Sequence, residues 1–271
     1  MADYSVLMSV YDKEQPEYLQ ASIQSMLDQT IPPDDFVIVC DGPLNDELDA
    51  VLQSYAERFP CINIVRLEQN VGIGAAANIG LAHVKHELVA KMDSDDISVA
   101  QRCEKELNAF TSNEQLALIG SYLSEFEDDP SNIVSIRKVP CDHAEIKHYA
   151  RRRSPFNNQT VMYKKSVVLS CGGYSDLKRA EDYDLFVRIL AGGHLTRNLP
   201  EALVLYRLAE DTIKRRCTFE HLKGFIKVRW RIYRMRYSNL LDFIIPTLAQ
   251  LVLMILPRAL QKKIYNKLRT Y

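Results

Sequence analysis

The sequence lacks the cysteine and histidine spacings of a disulfide-stabilised or zinc-binding protein. Its six cysteines are scattered, with no Cys-x-x-Cys pair and no histidine at the spacing of a zinc ligand. The N-terminus also lacks the basic region and apolar core of a secretory signal. We therefore expect a protein of the reducing cytoplasm, without structural zinc or disulfide bonds.

No apolar run is long enough to cross a bilayer comfortably, because the stretch 243–256 spans only 14 residues and includes Pro246. The net charge of −1 conceals an asymmetry, since residues 214–271 hold 14 Lys and Arg against two acids. Basic stretches beside an apolar one favour a tail that lies on an anionic membrane surface. The alternative is a helical pair that closes the core. The single tryptophan and the continuous apolar block argue against a nucleic-acid partner.

Short apolar runs alternate with amphipathic segments over the first part of the chain. The runs Ser5–Val10, Phe36–Cys40, Ile62–Leu67 and Leu88–Met92 predict strands, and the segments between them have apolar residues at helical spacing. This rhythm predicts βαβ units and an α/β fold with a mainly parallel sheet, covered by helices on both faces. Ligands of such sheets bind beyond the carboxyl ends of the strands.

Polar residues follow each predicted strand directly, namely Asp12, Asp41, Asn70 and Asp93. Because the carboxyl ends of parallel strands meet at one edge, we expect these residues to line one crevice. The loop 69–74 would let a ligand approach its backbone closely next to a helix N-terminus. It is not the dinucleotide-binding fingerprint, because its glycine spacing differs and it follows the third strand.

Three carboxylates, Asp93, Asp95 and Asp96, stand within four positions at the end of the fourth predicted strand. Like charges this close repel one another unless a cation lies between them. Mg²⁺ or Mn²⁺ commonly takes one or two protein carboxylates and completes its coordination with substrate phosphates and water. The pattern is compatible with a metal site and equally with a solvated acidic turn.

The second half is less regular, which suggests a region dedicated to a second substrate. Strand-like stretches at 116–126, 133–139 and 160–163 precede a segment, 179–190, with acids at its start and an apolar face behind them. Asp182 in this segment is a candidate general base beside the crevice. The alternative is structural, because acids in the first turn of a helix are favoured by the helix dipole.

Several motifs together resemble family 2 glycosyltransferases of the GT-A fold, over roughly residues 5 to 210. They are Ser9-Val10-Tyr11-Asp12, Ser25-Met26-Leu27-Asp28-Gln29-Thr30, Asp41-Gly42, Asn70-Val71-Gly72, Ala77-Asn78-Ile79-Gly80, Asp93-Ser94-Asp95-Asp96 and Glu181-Asp182-Tyr183-Asp184. The tail, with Tyr206-Arg207, resembles bacterial transferases that build O-antigen, capsule or exopolysaccharide units, including the amylovoran-biosynthesis type. The resemblance implies a GT-A α/β fold followed by a basic and apolar helical tail.

The resemblance also implies roles for individual residues. A donor-binding group would comprise Val10, Tyr11 and Asp12 at the nucleoside pocket, Asp41 at the uracil edge, Asn78 and Lys91 nearby, and Asp93 at the ribose. Asp95, with Asp96, would bind the Mn²⁺ or Mg²⁺ that holds the donor diphosphate. Asp182 would be the catalytic base, with Glu181 beside it.

The implied reaction is an inverting, metal-dependent transfer of a hexose from a UDP-sugar to an undecaprenyl-diphosphate-linked saccharide. UDP-Gal, UDP-Glc and N-acetylated relatives are the candidate donors. Residues 1–98 would then bind the donor, 99–213 the acceptor, and 214–271 the membrane. The alternatives are a nucleotidyltransferase, for which Tyr11-Asp12-Lys13-Glu14 is neither glycine-rich nor strongly basic, and a non-catalytic nucleotide-sugar-binding module.

The sequence departs from the family pattern at Asn157-Asn158-Gln159, where relatives often have Asn-His-Pro. Asparagine can donate a hydrogen bond but cannot become charged as histidine can. The role of Asn158 therefore stays open, as does a contact between Arg207 and the diphosphate.

Overall fold

A computed structural model describes residues 3–177, 179–208, 219–256 and 260. Within these residues nine strands form one sheet: β1 Tyr4–Val10, β2 Asp35–Cys40, β3 Ile62–Arg66, β4 Leu88–Asp93, β5 Ile97–Ser98, β6 Leu116–Phe126, β7 Ile133–Arg137, β8 Met162–Lys164 and β9 Leu195–Arg207. The helices are α1 Pro16–Leu27, α2 Asp46–Arg58, α3 Ile73–His83, α4 Arg102–Ser112, α5 His143–Tyr149, α6 Lys165–Ser170, α7 Glu181–Ala191, α8 Phe219–Arg234 and α9 Leu240–Ile255.

The strand order is β3-β2-β1-β4-β8-β6-β9-β5, and β7 pairs with β6. The first four strands are parallel, which confirms the predicted βαβ rhythm. Beyond β4 the sheet is mixed: β6 and β9 are parallel, whereas β8 is antiparallel to both β4 and β6. Short connections such as the β6–β7 turn allow antiparallel pairing without a crossover helix.

Both faces of the sheet are buried. On β1, Leu7 packs on one face with residues of α3 and α7, and Met8 packs on the other with residues of α1 and α2. The alternation arises because successive side chains of a strand point to opposite faces. Near-continuous apolar strands such as β2 are typical of sheets covered on both sides.

The described part of the tail is a helical pair. Val228 and Ile232 of α8 are buried against the core that contains α7, so this helix closes the core as the alternative interpretation of the tail required. Helix α9 begins with a capping box between Asn239 and Asp242, and the ring of Phe243 packs edge-on against Trp230 at 5.8 Å. No helix among the described residues is long and apolar enough to cross a membrane. The basic stretch that follows Pro257 lies outside those residues, apart from Leu260.

Candidate active site

The carboxyl ends of β2, β1 and β4 bring the predicted donor-binding residues to one edge. Val10 lies opposite Cys40, and Ser9 lies opposite Asp93. The loop residues Tyr11 and Asp12 therefore emerge between Asp41 on one side and Asp93 on the other. Val10 itself is buried, whereas the side chains of Tyr11 and Asp12 face solvent. The strand register therefore brings these residues to one edge of the sheet, where the sequence predicts the crevice.

Asp41 holds the loop that precedes α3. Its two carboxylate oxygens accept hydrogen bonds from the backbone N–H groups of Val71, at 2.7 Å, and Gly72, at 3.1 Å. Gly42 has φ +95°, and a Cβ there would lie 2.8 Å from the backbone nitrogen of Asn70. This close approach explains the glycine after Asp41. Each Asp41 oxygen keeps a second lone pair for a ligand.

Asn78 does not present a free side chain to the crevice. Its amide donates to the carbonyl of Tyr174, at 2.8 Å, and accepts from the N–H of the same residue, at 2.7 Å. Gly173 precedes this contact with φ +67°, and a Cβ there would meet Asn78 Oδ1 at 2.6 Å. The geometry makes Asn78 a clamp between α3 and the turn before α7, which corrects its predicted place among the donor-binding side chains.

Lys91 lies beneath the crevice. Its side chain is 1% exposed, and its Nζ lies 3.3 Å from Oδ1 of Asp93 and 3.2 Å from the carbonyl of Met92. The hydroxyl of Ser22 in α1 donates to the carbonyl of Asp93, at 2.8 Å. Asp93 is therefore held by its strand, by α1 and by a buried cation.

Asp95 and Asp96 are held by the end of β9. The N–H of Arg207 donates to Oδ1 of Asp96 at 2.9 Å, and its Nε donates to the carbonyl of Asp95 at 3.1 Å. Burial, then the charges of Asp93 and Glu14, raise the pKa of Asp95 to about 7. Burial and the charge of Asp95 raise the pKa of Asp96 well above its usual value.

Glu181 and Asp182 open α7, where the sequence places them, after Ala180 in a left-handed conformation with φ 63°. Burial and the neighbouring Asp182 raise the pKa of Glu181 to about 7, while Lys91 lowers it. Burial also raises the pKa of Asp182, against a lowering by Arg137. A Cβ on Gly74 would lie 3.3 Å from Cγ of Glu181, so the starts of α3 and α7 are in contact.

Asp93 connects the two acidic groups. Its charge raises the pKa of Asp95 and Asp96 on one side, and of Glu181 and Asp182 on the other. Coulombic effects of this kind require short separations, so the five carboxylates share one crevice. The sequence predicted the place of Asp93 from the strand ends, and it offered Asp182 as a candidate base beside the same crevice.

Glu14 and Arg137 escaped the sequence interpretation, and Arg207, for which a diphosphate contact was left open, makes contacts that the sequence did not predict. Glu14 accepts a hydrogen bond from the Ser94 hydroxyl at 2.6 Å and faces Asp95. Arg137, at the end of β7, approaches Asp182. The guanidinium of Arg207 stacks over the rings of Tyr18, at 3.8 Å, and Phe126, at 4.6 Å. The position of Glu14 directly after β1 was a usable signal, whereas the two arginines depend on pairings of distant strands.

The donor set at Asp95 and Asp96 suits a divalent cation that is completed by a substrate. Within the described residues no group of three or more His, Cys, Asp or Glu is arranged to hold a metal ion alone. Oδ2 of Asp96 is buried and has no hydrogen-bond partner in the same part of the chain. Two carboxylates with an unpaired oxygen fit Mg²⁺ or Mn²⁺, which readily keeps positions for phosphate and water.

Asn158 lies in a short 3₁₀ turn, Asn158–Thr160, between β6 and β4. Its Oδ1 is buried without a hydrogen-bond partner among the described residues. The preceding Asn157 donates to the carbonyl of Ser121 at 2.9 Å, which fixes the turn on β6.

Two solved structures share the fold. A mannosyltransferase from Pyrobaculum calidifontis in complex with GDP-Man and Mn²⁺ superposes with a TM-score of 0.67 at 14% identity, over 99% of this chain and 80% of that one. S. aureus TarS 1-349 in complex with UDP-GlcNAc superposes with a TM-score of 0.64 at 18% identity, over 83% of this chain and 65% of that one. At these identities the likeness shows the GT-A fold alone.

Sequence comparisons give the family. The chain is 36% identical to the Escherichia coli UDP-Gal:alpha-D-GlcNAc-diphosphoundecaprenol beta-1,3-galactosyltransferase, over 97% of this chain and 95% of the relative. It is 35% identical to the amylovoran biosynthesis glycosyltransferase AmsE of Erwinia amylovora, over 87% and 86%. Residues 5–176 match the Glycosyl transferase family 2 profile. With the crevice of carboxylates on a GT-A fold, these matches show that the chain belongs to glycosyltransferase family 2.

Proposed function

We propose that this glycosyltransferase moves a hexose from a UDP-sugar to a lipid-diphosphate-linked saccharide in bacterial surface polysaccharide synthesis. The supporting observation is the convergence of Asp93, Asp95 and Asp96 with Glu181 and Asp182 in one crevice. The donor and acceptor classes come from the printed name of the Escherichia coli relative. The donor sugar would be galactose, glucose or an N-acetylated relative.

The donor would bind along the edge formed by β2, β1 and β4. Tyr11 and Asp12 emerge there with Val10 beneath them, and Asp41 offers carboxylate lone pairs to the uracil. Lys91 holds the carboxylate of Asp93 in place for the ribose hydroxyls. A carboxylate accepts hydrogen bonds from hydroxyl groups, which makes it a suitable ribose ligand.

Asp95 and Asp96 would hold Mn²⁺ or Mg²⁺ together with the donor diphosphate. When bound, such a cation supplies Lewis-acid stabilisation of the charge that develops on the leaving diphosphate. Arg207 holds the carboxylate of Asp96 through its backbone N–H and the backbone carbonyl of Asp95 through its Nε. The guanidinium of Arg207 stacks on Tyr18 and Phe126, which restricts the motion of the Arg207 side chain.

Asp182 would take the proton of the acceptor hydroxyl. Its raised pKa brings it closer to working pH, where a general base is most effective, and such a base supplies roughly 10²- to 10⁴-fold in rate. The acceptor oxygen then forms a bond to the anomeric carbon as the bond to the diphosphate oxygen breaks, and the electron pair leaves with UDP. Attack from the opposite face inverts the anomeric configuration. The pKa of the neighbouring Glu181 is raised to about 7, so Glu181 and Asp182 would share their negative charge and titrate as a pair.

The division of the chain follows from these roles. Residues 1–98 would bind the donor, residues 99–213 would bind the acceptor and provide the base, and residues 214–271 would bind the membrane. The protein would then lie peripherally on the inner face of the bacterial cell membrane. A lipid-linked acceptor requires the enzyme to work at that surface.

The test is a screen of UDP-Gal, UDP-Glc and their N-acetylated relatives against synthetic lipid-diphosphate monosaccharides, with the product configuration determined by NMR. We expect UDP release coupled to one inverted disaccharide product. A retained configuration would contradict the proposed mechanism. In parallel, nucleoside triphosphates with sugar phosphates test the nucleotidyltransferase alternative, which requires pyrophosphate release; we expect none.

A further inference from the structure

A basic cavity lies on the side of the protein remote from the carboxylates. It has a volume of about 390 Å³ and is lined by Lys147, His148, Arg151, Arg236 and Tyr237, with the end of α7 as its floor. Glu181 of the catalytic pair stands at the start of α7, nine residues before Leu190 and ten before Ala191, which line the cavity. At about 1.5 Å per residue, the cavity is roughly 15 Å from that pair. It is therefore separate from the donor crevice.

The charge of the basic cavity is only partly neutralised. Lys147 and Arg236 have no ion-pair partner among the described residues. Arg151 pairs with Asp242 at 2.7 Å, yet its Nε is buried without a hydrogen-bond partner in the described chain. The Tyr237 hydroxyl donates to the carbonyl of Lys147, at 3.1 Å, which fixes the α8–α9 connection to α5. Fixed cationic donors around a cavity suit a phosphate group.

An apolar stripe runs along α9 beside this cavity. It consists of five residues that are 36–61% exposed: Leu241, Ile244, Ile245, Leu248 and Val252. Their spacing of three and four residues places them on one face of the helix. A contiguous exposed apolar surface of this kind marks an interaction site.

The basic cavity and the apolar stripe adjoin one another. Arg151 lines the cavity and binds Asp242 in the first turn of α9, next to Leu241, where the stripe begins. A ligand that satisfies both surfaces has a phosphate group and a hydrocarbon chain. Free phosphate would leave the stripe uncovered, and an apolar partner would leave the cations unpaired. A membrane lipid satisfies both.

We propose that the basic cavity binds the phosphodiester head group of an anionic phospholipid while the apolar stripe enters the acyl region of the same leaflet. The proposal rests on the membrane location given above and is independent of the sugar transferred. Bound this way, α7 would extend from the membrane side of the protein to the catalytic pair. Its length then sets the distance between the bilayer surface and the base.

The test measures binding of the full chain to vesicles by flotation, without UDP-sugar or acceptor. Vesicles contain phosphatidylcholine alone or with phosphatidylglycerol. Each basic residue near an anionic surface contributes roughly fivefold to the affinity, so Lys147→Glu with Arg236→Glu should weaken binding to the anionic vesicles at least about tenfold. The milder pair Lys147→Gln with Arg236→Gln should give a smaller loss of vesicle binding. It also reduces the risk of misfolding, and circular dichroism checks that each variant is folded.

The matched control is Arg58→Glu with Arg66→Glu, which makes the same charge change on exposed residues beside the edge strand β3. We expect this control to retain at least most of the binding. Equal losses in both pairs, or unchanged binding in the cavity pair, would overturn the proposal. So would a loss confined to phosphatidylcholine vesicles doped with polyprenyl diphosphate, because the cavity would then serve the acceptor. Because no sugar substrate is present, failure here leaves the transferase proposal standing.

Discussion

The clamp formed by Asn78 gives a prediction that separates a structural role from a ligand-binding one. Asn78→Ala removes the two hydrogen bonds that join α3 to the backbone of Tyr174, 96 residues away. Tyr174 is 5% exposed, so water does not readily replace the lost partners. The substitution also removes the Asn78 amide that packs against Gly173, a residue in a left-handed conformation.

The magnitude follows from the groups left without partners. A buried N–H or C=O without a hydrogen bond costs about 1–3 kcal/mol. With partial relaxation of the turn, Asn78→Ala should lower the free energy of unfolding by about 2–4 kcal/mol. Asn78→Asp keeps the acceptor for the Tyr174 N–H but opposes a carboxylate to the Tyr174 carbonyl, so it should also destabilise the protein.

The assay is urea unfolding followed by circular dichroism, with UDP binding measured on the folded variants. Asn70→Ala is the matched control, because exposed Asn70 makes one hydrogen bond, to the carbonyl of Asp41 at 3.1 Å; we expect a loss below about 1 kcal/mol. Unchanged stability of Asn78→Ala together with much weaker UDP binding would refute the clamp. That result would instead support the predicted place of Asn78 in the donor pocket.

Three further predictions concern the carboxylates. Asp182→Asn should keep UDP binding and lower kcat by about 10²- to 10⁴-fold, since an amide cannot accept the acceptor proton; near-normal turnover would remove Asp182 from the mechanism. UDP should raise the melting temperature more with Mn²⁺ than without, and Asp95→Ala should abolish the difference; equal shifts in the wild type would contradict the metal assignment. Without divalent cations, the free energy of unfolding should fall as pH rises from about 4 to 7. In this window the unfolded chain has already released the protons of Asp95 and Glu181. The folded protein still holds them, because both pKa values are raised to about 7. Buried Glu106, also at about 7, adds to the slope, so the comparison is with Asp95→Asn, whose slope should be shallower.

The first half of the fold could be predicted because its signals are local. Each apolar run of β1 to β4 is followed by a polar residue and an amphipathic helix, and right-handed βαβ units leave few arrangements. Asp12, Asp41 and Asp93 therefore meet at one edge without any knowledge of long-range pairing. The acids at the start of α7 were visible for the same reason, because helix-dipole preferences act within one turn.

The rest of the site depends on pairings that no local pattern specifies. Arg207 reaches Asp95 and Asp96 because β9 pairs with β5 and β6, and β5 has only two residues. Arg137 reaches Asp182 through the β6–β7 hairpin. Asn78 was assigned to the donor group through the family resemblance alone, since its side chain can bind either a ligand or a peptide group. Only the position of Tyr174 decides between them.

The charge balance of the crevice bears on how the donor enters. In the part of the chain that the structure describes, Asp93, Asp95 and Asp96 lie with Glu14 beside two cations, Lys91 and Arg207, and Lys91 is already paired with Asp93. A nucleoside diphosphate brings further negative charge to the same place. Repulsion at these separations is large in a partly buried site, and protons or a divalent cation must offset it. Protonation relieves this repulsion without the donor, whereas the donor diphosphate requires deprotonated carboxylates with a cation between them. We therefore expect Asp95, whose pKa is raised to about 7 by burial and by the charges of Asp93 and Glu14, to lose its proton as the cation and the diphosphate bind.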